Sequence, residues 1–277
     1  MLGELFADLH LQMDEALESP IRLIRPGDPQ SKFYRVRIAN DAGERERFAK
    51  DVPLHLGPPP ARKRRAGRIN PSGVGAFYAG YDIDTCIAEL RPPMGTIVAS
   101  AEFEILQPLV VLDTTRFAKP VKEPNMFAAH HSTRMAQWRC MQRFMSEIAQ
   151  PVSPDDEHLD YIPTQAVADY LVNHHVFQLN GVEVKIEAIM YRSAQNGVGV
   201  NIALLGDAGV VEPKAPAKAE RKPELGGPFE YLLSSLPRHP SPAGRLRVVA
   251  DSYREFRVRS ALFGIDGFYD DLGEDYR

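Results

Sequence analysis

The sequence has few of the residues that cross-link small secreted domains and none of the segments that enter membranes. Its 277 residues include two cysteines, Cys86 and Cys140, without a Cys-x-x-Cys spacing, which argues against a disulfide framework or a zinc ribbon. No apolar run approaches the roughly 20 residues that cross a bilayer. The first ten residues carry two acidic side chains and no lysine or arginine, unlike a secretion signal. These absences predict a cytoplasmic protein without membrane contacts.

Several common functional motifs are also missing. There is no G-x-x-x-x-G-K-[ST] phosphate loop, and Ser193 lies in "YRSAQ" rather than in G-x-S-x-G. The adjacent histidine pairs at 130–131 and 174–175 would point in different directions on a helix, so no metal site is predicted. The net charge of −4 gives no reason to expect direct nucleic-acid binding.

The apolar pattern divides the chain into three parts. Residues 2–17 carry apolar side chains at three- and four-residue intervals, which predicts one amphipathic helix in an N-terminal extension, 1–30. Residues 31–206 mix strand-like and helix-like segments without regular βαβ alternation, which favours an α+β fold. Residues 207–277 begin with a stretch rich in Pro, Ala, Lys and Glu, and are interpreted as a linker and C-terminal extension packed on the same domain.

Alternation, helical periodicity and turn residues predict the individual elements. Strands are expected at 31–40, 75–81, 96–105, 109–115, 183–193, 197–206 and within 245–265. Helices are expected at 42–50, 82–90, 131–149, 161–175 and 229–236.

The run "AGRINPSGVGAFYAGYDIDTCIAEL" (66–90) concentrates chemistry in a short stretch. Arg68 lies beside a Gly/Pro turn where backbone can approach a ligand, Tyr78 lies on the following strand, and Glu89 comes one helix later. Each residue alone has an ordinary structural interpretation, but the combination indicates a site. The preceding basic segment "ARKRRAGR" (61–68) is interpreted as a solvated loop, with attraction for phosphate groups or an acidic partner surface as the alternative.

Five segments in this order resemble the RES domain family, which is named after an arginine, a glutamate and a serine. Glu89 and Ser193 match the last two, and the arginine is Arg35 or Arg68. The resemblance spans roughly residues 31–206. The segments are "FYRVR" (33–37), "GRINPSGVGAFYAG" (67–80), "TCIAE" (85–89), "YIPTQAVADYL" (161–171) and "YRSAQNGVGVNIAL" (191–204).

The resemblance implies a fold related to the ADP-ribosyltransferase toxins, with a mixed β core, and an activity on NAD. Members of the family are typically bacterial toxins neutralised by an Xre-type antitoxin, in complexes with two or more toxin copies. They destroy NAD by phosphorolysis or hydrolysis, or transfer ADP-ribose to a protein. NAD is then the substrate and phosphate a possible co-substrate, with no prosthetic group.

The expected chemistry gives each candidate residue a role. Cleaving the nicotinamide–ribose bond passes through an oxocarbenium-like state, so a carboxylate near the anomeric carbon is needed, and Glu89 is assigned to it. The diphosphate needs planar, permanently charged donors. Arg68 is the first candidate for that contact and Arg35 the second.

The remaining candidates are less specific. Tyr78 is expected to stack on the nicotinamide ring, and Ser193 to hydrogen-bond a ribose hydroxyl, a phosphate or the attacking anion. Asn70 is included as a binding residue, although Asn-Pro is a turn initiator. Ile87 occupies the position where protein ADP-ribosyltransferases often carry a second acid, which disfavours that reading. A weakly catalytic NAD-binding or protein-binding module is the alternative from another class.

Overall fold

The computed structural model describes residues 3, 6, 8–60, 62, 64–121, 127, 131–150, 161–179, 181–214 and 244–259. The main feature is a nine-stranded mixed sheet with the order β1-β5-β8-β9-β3-β2-β4-β10, in which β11 also pairs with β4. β5 and β8 are parallel, and the other pairs in this sheet are antiparallel. Helices surround the sheet, which confirms the α+β prediction.

The strands are β1 (Ile21–Ile24), β2 (Lys32–Ala39), β3 (Ala76–Gly80), β4 (Ile97–Ile105), β5 (Leu109–Asp113), β6 (Val176–Leu179), β7 (Val182–Lys185), β8 (Ala188–Arg192), β9 (Val200–Leu205), β10 (Leu246–Val248) and β11 (Arg254–Arg257). The α-helices are α1 (Ala42–Lys50), α2 (Val52–Leu56), α3 (Ile83–Leu90), α4 (His131–Ala149) and α5 (Ile162–Asp169). One wider helical turn, Tyr170–His174, continues α5. No helix in these ranges is long and apolar enough to cross a membrane.

Alternating side chains of the central strands supply two cores, one on each face of the sheet. On one face Trp138 and Met141 of α4 pack in a cluster with Ile189 of β8. On the other face Phe48 and Leu56, from α1 and α2, pack in a second cluster with other strand residues. The period-2 pattern of the strands therefore places apolar side chains on both faces, as in a sheet covered by other elements on each side.

The sheet opens between β2 and β3, and this opening positions the site. The two strands share a single register pair, Tyr34↔Gly80, whereas β2 pairs with β4 along its whole length. Beyond that pair the guanidinium of Arg35 donates to the carbonyl of Tyr78 at 3.0 Å. A side chain thus replaces the next rung of the backbone ladder, and the strands diverge around it.

The extensions pack on the same sheet. β1 lies before the predicted boundary at residue 31, yet it pairs with β5 as an edge strand. β10 and β11 lie in the C-terminal part and both pair with β4. The expected helix at 229–236 lies outside the described residues.

The predicted helix over residues 2–17 is wrong beyond residue 11. A short 3₁₀ turn covers Leu9–Leu11, and the chain after it is irregular. Tertiary contacts explain the difference, since Gln12 donates to Gln137 of α4 at 2.7 Å. The buried carboxylate of Asp14 lies 3.6 Å from Arg116. These polar contacts hold the backbone in a non-helical path that periodicity alone does not reveal.

The single strand predicted over 183–193 is also wrong. β7 forms a separate hairpin with β6, while β8 joins the main sheet. Glu187 lies between them, and its carboxylate accepts from Val110 N at 3.0 Å and from Arg245 at 2.8 Å. Its side chain therefore takes a position that a backbone carbonyl would otherwise occupy.

Candidate active site

A cavity of about 270 Å³ lies where β2 and β3 diverge. Arg35 of β2, Tyr78 of β3 and Glu89 of α3 line it, together with Arg68 from the loop that precedes β3. Two cations, an aromatic ring and a carboxylate predicted from the sequence thus share one cavity. Such a convergence of polar groups in a small pocket is the usual form of a ligand site.

Glu89 is held by one of its two oxygens. It lies in the last turn of α3, whose N-cap is Asp82. Oε1 accepts from Ser193 Oγ at 2.6 Å, from Asn201 Nδ2 at 2.9 Å and from Ala194 N at 3.1 Å. Among the described residues no donor reaches Oε2. The carboxylate is therefore fixed in orientation and keeps one oxygen for a ligand.

Ser193 is a positioning residue in this geometry. It is buried and does not line the cavity. Its hydroxyl donates to Glu89 and accepts from the backbone N–H groups of Gln195 at 3.2 Å and Asn196 at 2.9 Å. A hydroxyl has one proton to donate, so the structure directs that proton at Glu89. The direct ligand contact expected for Ser193 stays a prediction.

The loop that carries Ser193 is locked to the start of α3. Asn196 Nδ2 donates to Thr85 Oγ1 at 2.8 Å, and Thr85 Oγ1 donates to Asp82 at 2.7 Å. Gly199 packs so closely against Thr85 that a Cβ would collide with its hydroxyl. Both ends of α3 are consequently tied to the loop between β8 and β9.

Arg35 is a half-buried cation beside an aromatic ring. Its guanidinium carbon lies 4.5 Å from the centre of the Phe77 ring, a cation–π geometry. Burial, with a smaller contribution from Arg37, lowers the pKa of Arg35 to about 9, so the side chain is charged at neutral pH. Within the described part of the chain it forms no ion pair, which leaves its charge available to an anion.

Arg68 has a structural contact as well as a place in the cavity. Its Nη1 donates to the carbonyls of Ile148 at 3.1 Å and Gln150 at 2.5 Å, at the end of α4. Carbonyls in the last turn of a helix have no intrahelical partner, so the arginine satisfies them. The guanidinium carbon also lies 5.3 Å from the centre of the Tyr161 ring.

Tyr78 and Asn70 form one hydrogen-bonded unit. Tyr78 donates to Asn70 Oδ1 at 2.6 Å and accepts from Ile69 N at 3.2 Å. Burial raises the pKa of Tyr78 far above its usual value, so the phenol is neutral. Gly67 is required here because a Cβ would lie 2.6 Å from the Tyr78 hydroxyl.

Asn70 is used by its own loop. Its Nδ2 donates to the carbonyls of Arg65 at 3.1 Å, Pro71 at 3.1 Å and Val74 at 2.9 Å. It lines a neighbouring groove rather than the cavity of Glu89. Its geometry is that of a turn-forming residue, and its predicted contact with a ligand stays a prediction.

Four lining residues with polar side chains were missed as site residues by the sequence reasoning: Cys86, Tyr161, Tyr191 and Asn201. Asn201 had a usable signal, because an asparagine in the apolar strand "VNIALL" needs a buried partner. Burial raises the pKa of Tyr191 well above its usual value. Burial, followed by the charge of Asp82, raises the pKa of Cys86 to about 12, so this thiol is not a nucleophile at neutral pH.

The start of α5 holds the Arg68 loop from the other side. Thr164 Oγ1 donates to the carbonyl of Arg68 at 2.6 Å, and Gln165 Nε2 donates to the carbonyl of Gly67 at 2.8 Å.

In the described ranges no group of three or more His, Cys, Asp or Glu could hold a metal ion.

The fold and the site define an α+β protein with a fixed carboxylate and two arginines around one small cavity. A family model, described as the RES domain, matches residues 33–223, which is more than half of the chain. The chain belongs to the RES domain family, and the predicted resemblance is confirmed. The match includes every residue that lines the cavity. No curated protein and no solved structure shows significant similarity to the chain.

Proposed function

We propose that this protein cleaves the N-glycosidic bond between nicotinamide and ribose in NAD. The observation that carries the proposal is the shared cavity of Glu89, Arg35 and Arg68. Family membership supports it, since an enzymatic activity on NAD is consistent with a RES domain. More specifically, we propose that the cleavage is phosphorolysis or hydrolysis. We also propose that the protein is a toxin neutralised by a cognate Xre-type antitoxin.

In the proposed reaction the C1″–N bond breaks and its electron pair leaves with nicotinamide, which becomes a neutral ring. Positive charge then develops on the ribose, and the free oxygen of Glu89 stabilises it or holds the ribose hydroxyls. Phosphate adds an oxygen to C1″ and gives ADP-ribose 1″-phosphate. Water adds instead in hydrolysis and loses a proton, which gives ADP-ribose.

The other side chains bind and orient the substrate in this proposal. Arg35 and Arg68 contact the diphosphate, because guanidinium groups match phosphate oxygens in charge and geometry. Tyr78, Tyr161 and Tyr191 all line the cavity, so their rings provide apolar faces for the nicotinamide. Ser193 and Asn201 act through Glu89 by fixing Oε1.

Incubation of the purified protein with NAD, with and without inorganic phosphate, tests the proposal. Release of nicotinamide is measured by chromatography, and the second product is identified by mass. Phosphorolysis predicts ADP-ribose 1″-phosphate and a rate that depends on phosphate, whereas hydrolysis predicts ADP-ribose in both conditions. Intact NAD in every condition, with protein free of any partner, would favour the binding module instead. Attachment of ADP-ribose to the protein would favour transferase chemistry.

A further inference from the structure

A second, larger space adjoins the cavity. It is a groove of about 1020 Å³ between the basic loop, α2 and the diverging strands. Arg35, Ala66 and Tyr78 line both the groove and the cavity, so the two spaces are direct neighbours. The cavity is slightly smaller than typical ligand pockets of about 300–1,000 Å³. A dinucleotide whose nicotinamide end reaches Glu89 would therefore extend into the groove.

The groove is strongly basic. Five arginines line it, Arg35, Arg37, Arg62, Arg64 and Arg65, and no Asp or Glu occurs among its described lining residues. None of the five forms an ion pair with a described carboxylate. The chain as a whole carries a net charge of −4, so this concentration of positive charge is local.

Two of these arginines are anchored to the backbone by hydrogen bonds. Arg37 donates to the carbonyl of Gly57 at 3.3 Å and Arg64 donates to that of Pro59 at 3.4 Å. Burial lowers the pKa of Arg37, and the charge of Arg37 contributes to the lowered pKa of Arg35. Like charges held together in a concave surface are relieved by a bound anion.

The diphosphate of NAD carries about two negative charges, one on each phosphate group, and Arg35 and Arg68 suffice to match them. Arg62, Arg64 and Arg65 line the groove but not the cavity of Glu89, and the adenosine end of a dinucleotide would extend into that groove. Leu54 and Val74 also line the groove and offer apolar surface for a base. A further phosphate on the adenosine ribose would meet the unmatched arginines.

We propose that the groove binds the 2′-phosphate of a phosphorylated dinucleotide, so that NADP is preferred to NAD. This inference rests on the proposed function for its orientation of the ligand. Arginine suits this role because its planar donors bind phosphate oxygens in pairs. The preference resides in the exposed pair Arg62 and Arg65, whose side chains make no hydrogen bond to a described residue.

The test compares kcat/KM for NADP and NAD in the purified protein and in the double variant R62A/R65A. We expect NADP to be preferred by at least about tenfold, as charge-assisted hydrogen bonds imply, and the ratio to fall toward one in the variant. The double variant R25A/R143A is the matched control, because Arg25 and Arg143 are exposed and remote from both spaces. It should retain the preference.

Binding of 2′,5′-ADP and 5′-AMP, measured by calorimetry, separates this inference from the proposed function. The two probes differ only in the 2′-phosphate and need no turnover. Tighter binding of 2′,5′-ADP that is lost in R62A/R65A supports the inference even if neither dinucleotide is consumed. Equal binding of the two probes, or a preference that R62A/R65A leaves intact, overturns it even if NAD is cleaved. If the groove instead binds an acidic protein partner, 2′,5′-ADP and 5′-AMP would also bind equally, which overturns the inference.

Discussion

Ser193 Oγ lies 2.6 Å from Glu89 Oε1, although 104 positions separate the two residues in the sequence. The serine follows β8, and the glutamate ends α3. The glutamate and the serine that were predicted as site residues thus form one hydrogen-bonded unit. The serine orients the carboxylate, and the carboxylate faces the cavity.

Substituting Ser193 by alanine tests this positioning role. One of three donors to Oε1 is lost, so we expect kcat to fall about tenfold while KM changes little. Steady-state kinetics with NAD provide the measurement, and Ser132→Ala, an exposed change on α4, is the control. A rise in KM with kcat unchanged would instead indicate a serine that contacts the substrate directly.

The hydrogen bonds of Arg68 predict that this residue stabilises the fold, apart from any role in catalysis. Its Nη1 satisfies two carbonyls at the end of α4, and hydrogen bonds to charged groups contribute about 1.5–3 kcal/mol. Arg68→Met should therefore lower the free energy of unfolding in urea by about 2 kcal/mol. Arg143→Met, an exposed change on α4, should lower it by less than about 0.5 kcal/mol. Equal effects of the two variants would contradict the structural role.

Gly199 and Gly197, both in the loop between β8 and β9, provide a test position and its control. A Cβ at Gly199 would collide with Thr85 Oγ1, whereas a Cβ at Gly197 has no neighbour within 4 Å. Forcing atoms into a packed site lowers stability by about 1–3 kcal/mol. We expect Gly199→Ala to show this loss in urea unfolding, together with reduced activity because the loop orients Glu89. Gly197→Ala should have the stability and activity of the parent protein. A large loss of stability in Gly197→Ala would show that the flexibility of the loop, and not its packing against Thr85, is what the glycines provide.

The burial of His175 predicts that the stability of the protein depends on pH. It is buried (3 % exposed) with Nε2 lacking a hydrogen bond to a described residue, and burial, then the charge of His10, lowers its pKa. The unfolded chain consequently takes up a proton below about pH 6.5 that the folded chain resists. The free energy of unfolding therefore keeps its full value above that pH. It falls as the pH decreases further, by at most about 1.4 kcal/mol per pH unit for one group.

Urea unfolding at about pH 7.5 and about pH 5.5 measures this loss. His175→Phe should flatten the difference between the two conditions. His174→Phe changes an exposed neighbour and should leave the difference intact. If His175→Phe keeps the full dependence, other groups cause it.

Local signals in the sequence predicted much of the fold. Asp82 caps α3 by accepting from Thr85 N at 2.7 Å, at the start of the helix that was predicted over 82–90. The alternation over 31–40 became β2. Arg35, Arg68, Tyr78 and Glu89 were brought to one cavity. The predicted helices and strands depend on periodicity, capping and turn residues, which act over a few positions, whereas Arg35 became a candidate only through the resemblance to the RES domain family.

Long-range contacts account for what the sequence could not predict. Helical periodicity before residue 17 was overridden where Gln12 contacts Gln137, a pairing across 125 positions. The bonds of Arg68 to Ile148 and Gln150 likewise depend on how α4 packs. Tyr161 and Tyr191 were missed because they lie far from residues 66–90 in the sequence, and only the fold brings them to the cavity.

The central claim is that the carboxylate of Glu89 promotes cleavage of the nicotinamide–ribose bond. The most direct measurement is nicotinamide release from NAD, in the presence of phosphate, by the parent protein, Glu89→Gln and the exposed control Glu46→Gln. Glutamine keeps the shape but removes the charge, so we predict a loss of at least about 100-fold in kcat for Glu89→Gln, with folding retained and Glu46→Gln unchanged. Release by Glu89→Gln at the parent rate would contradict the account.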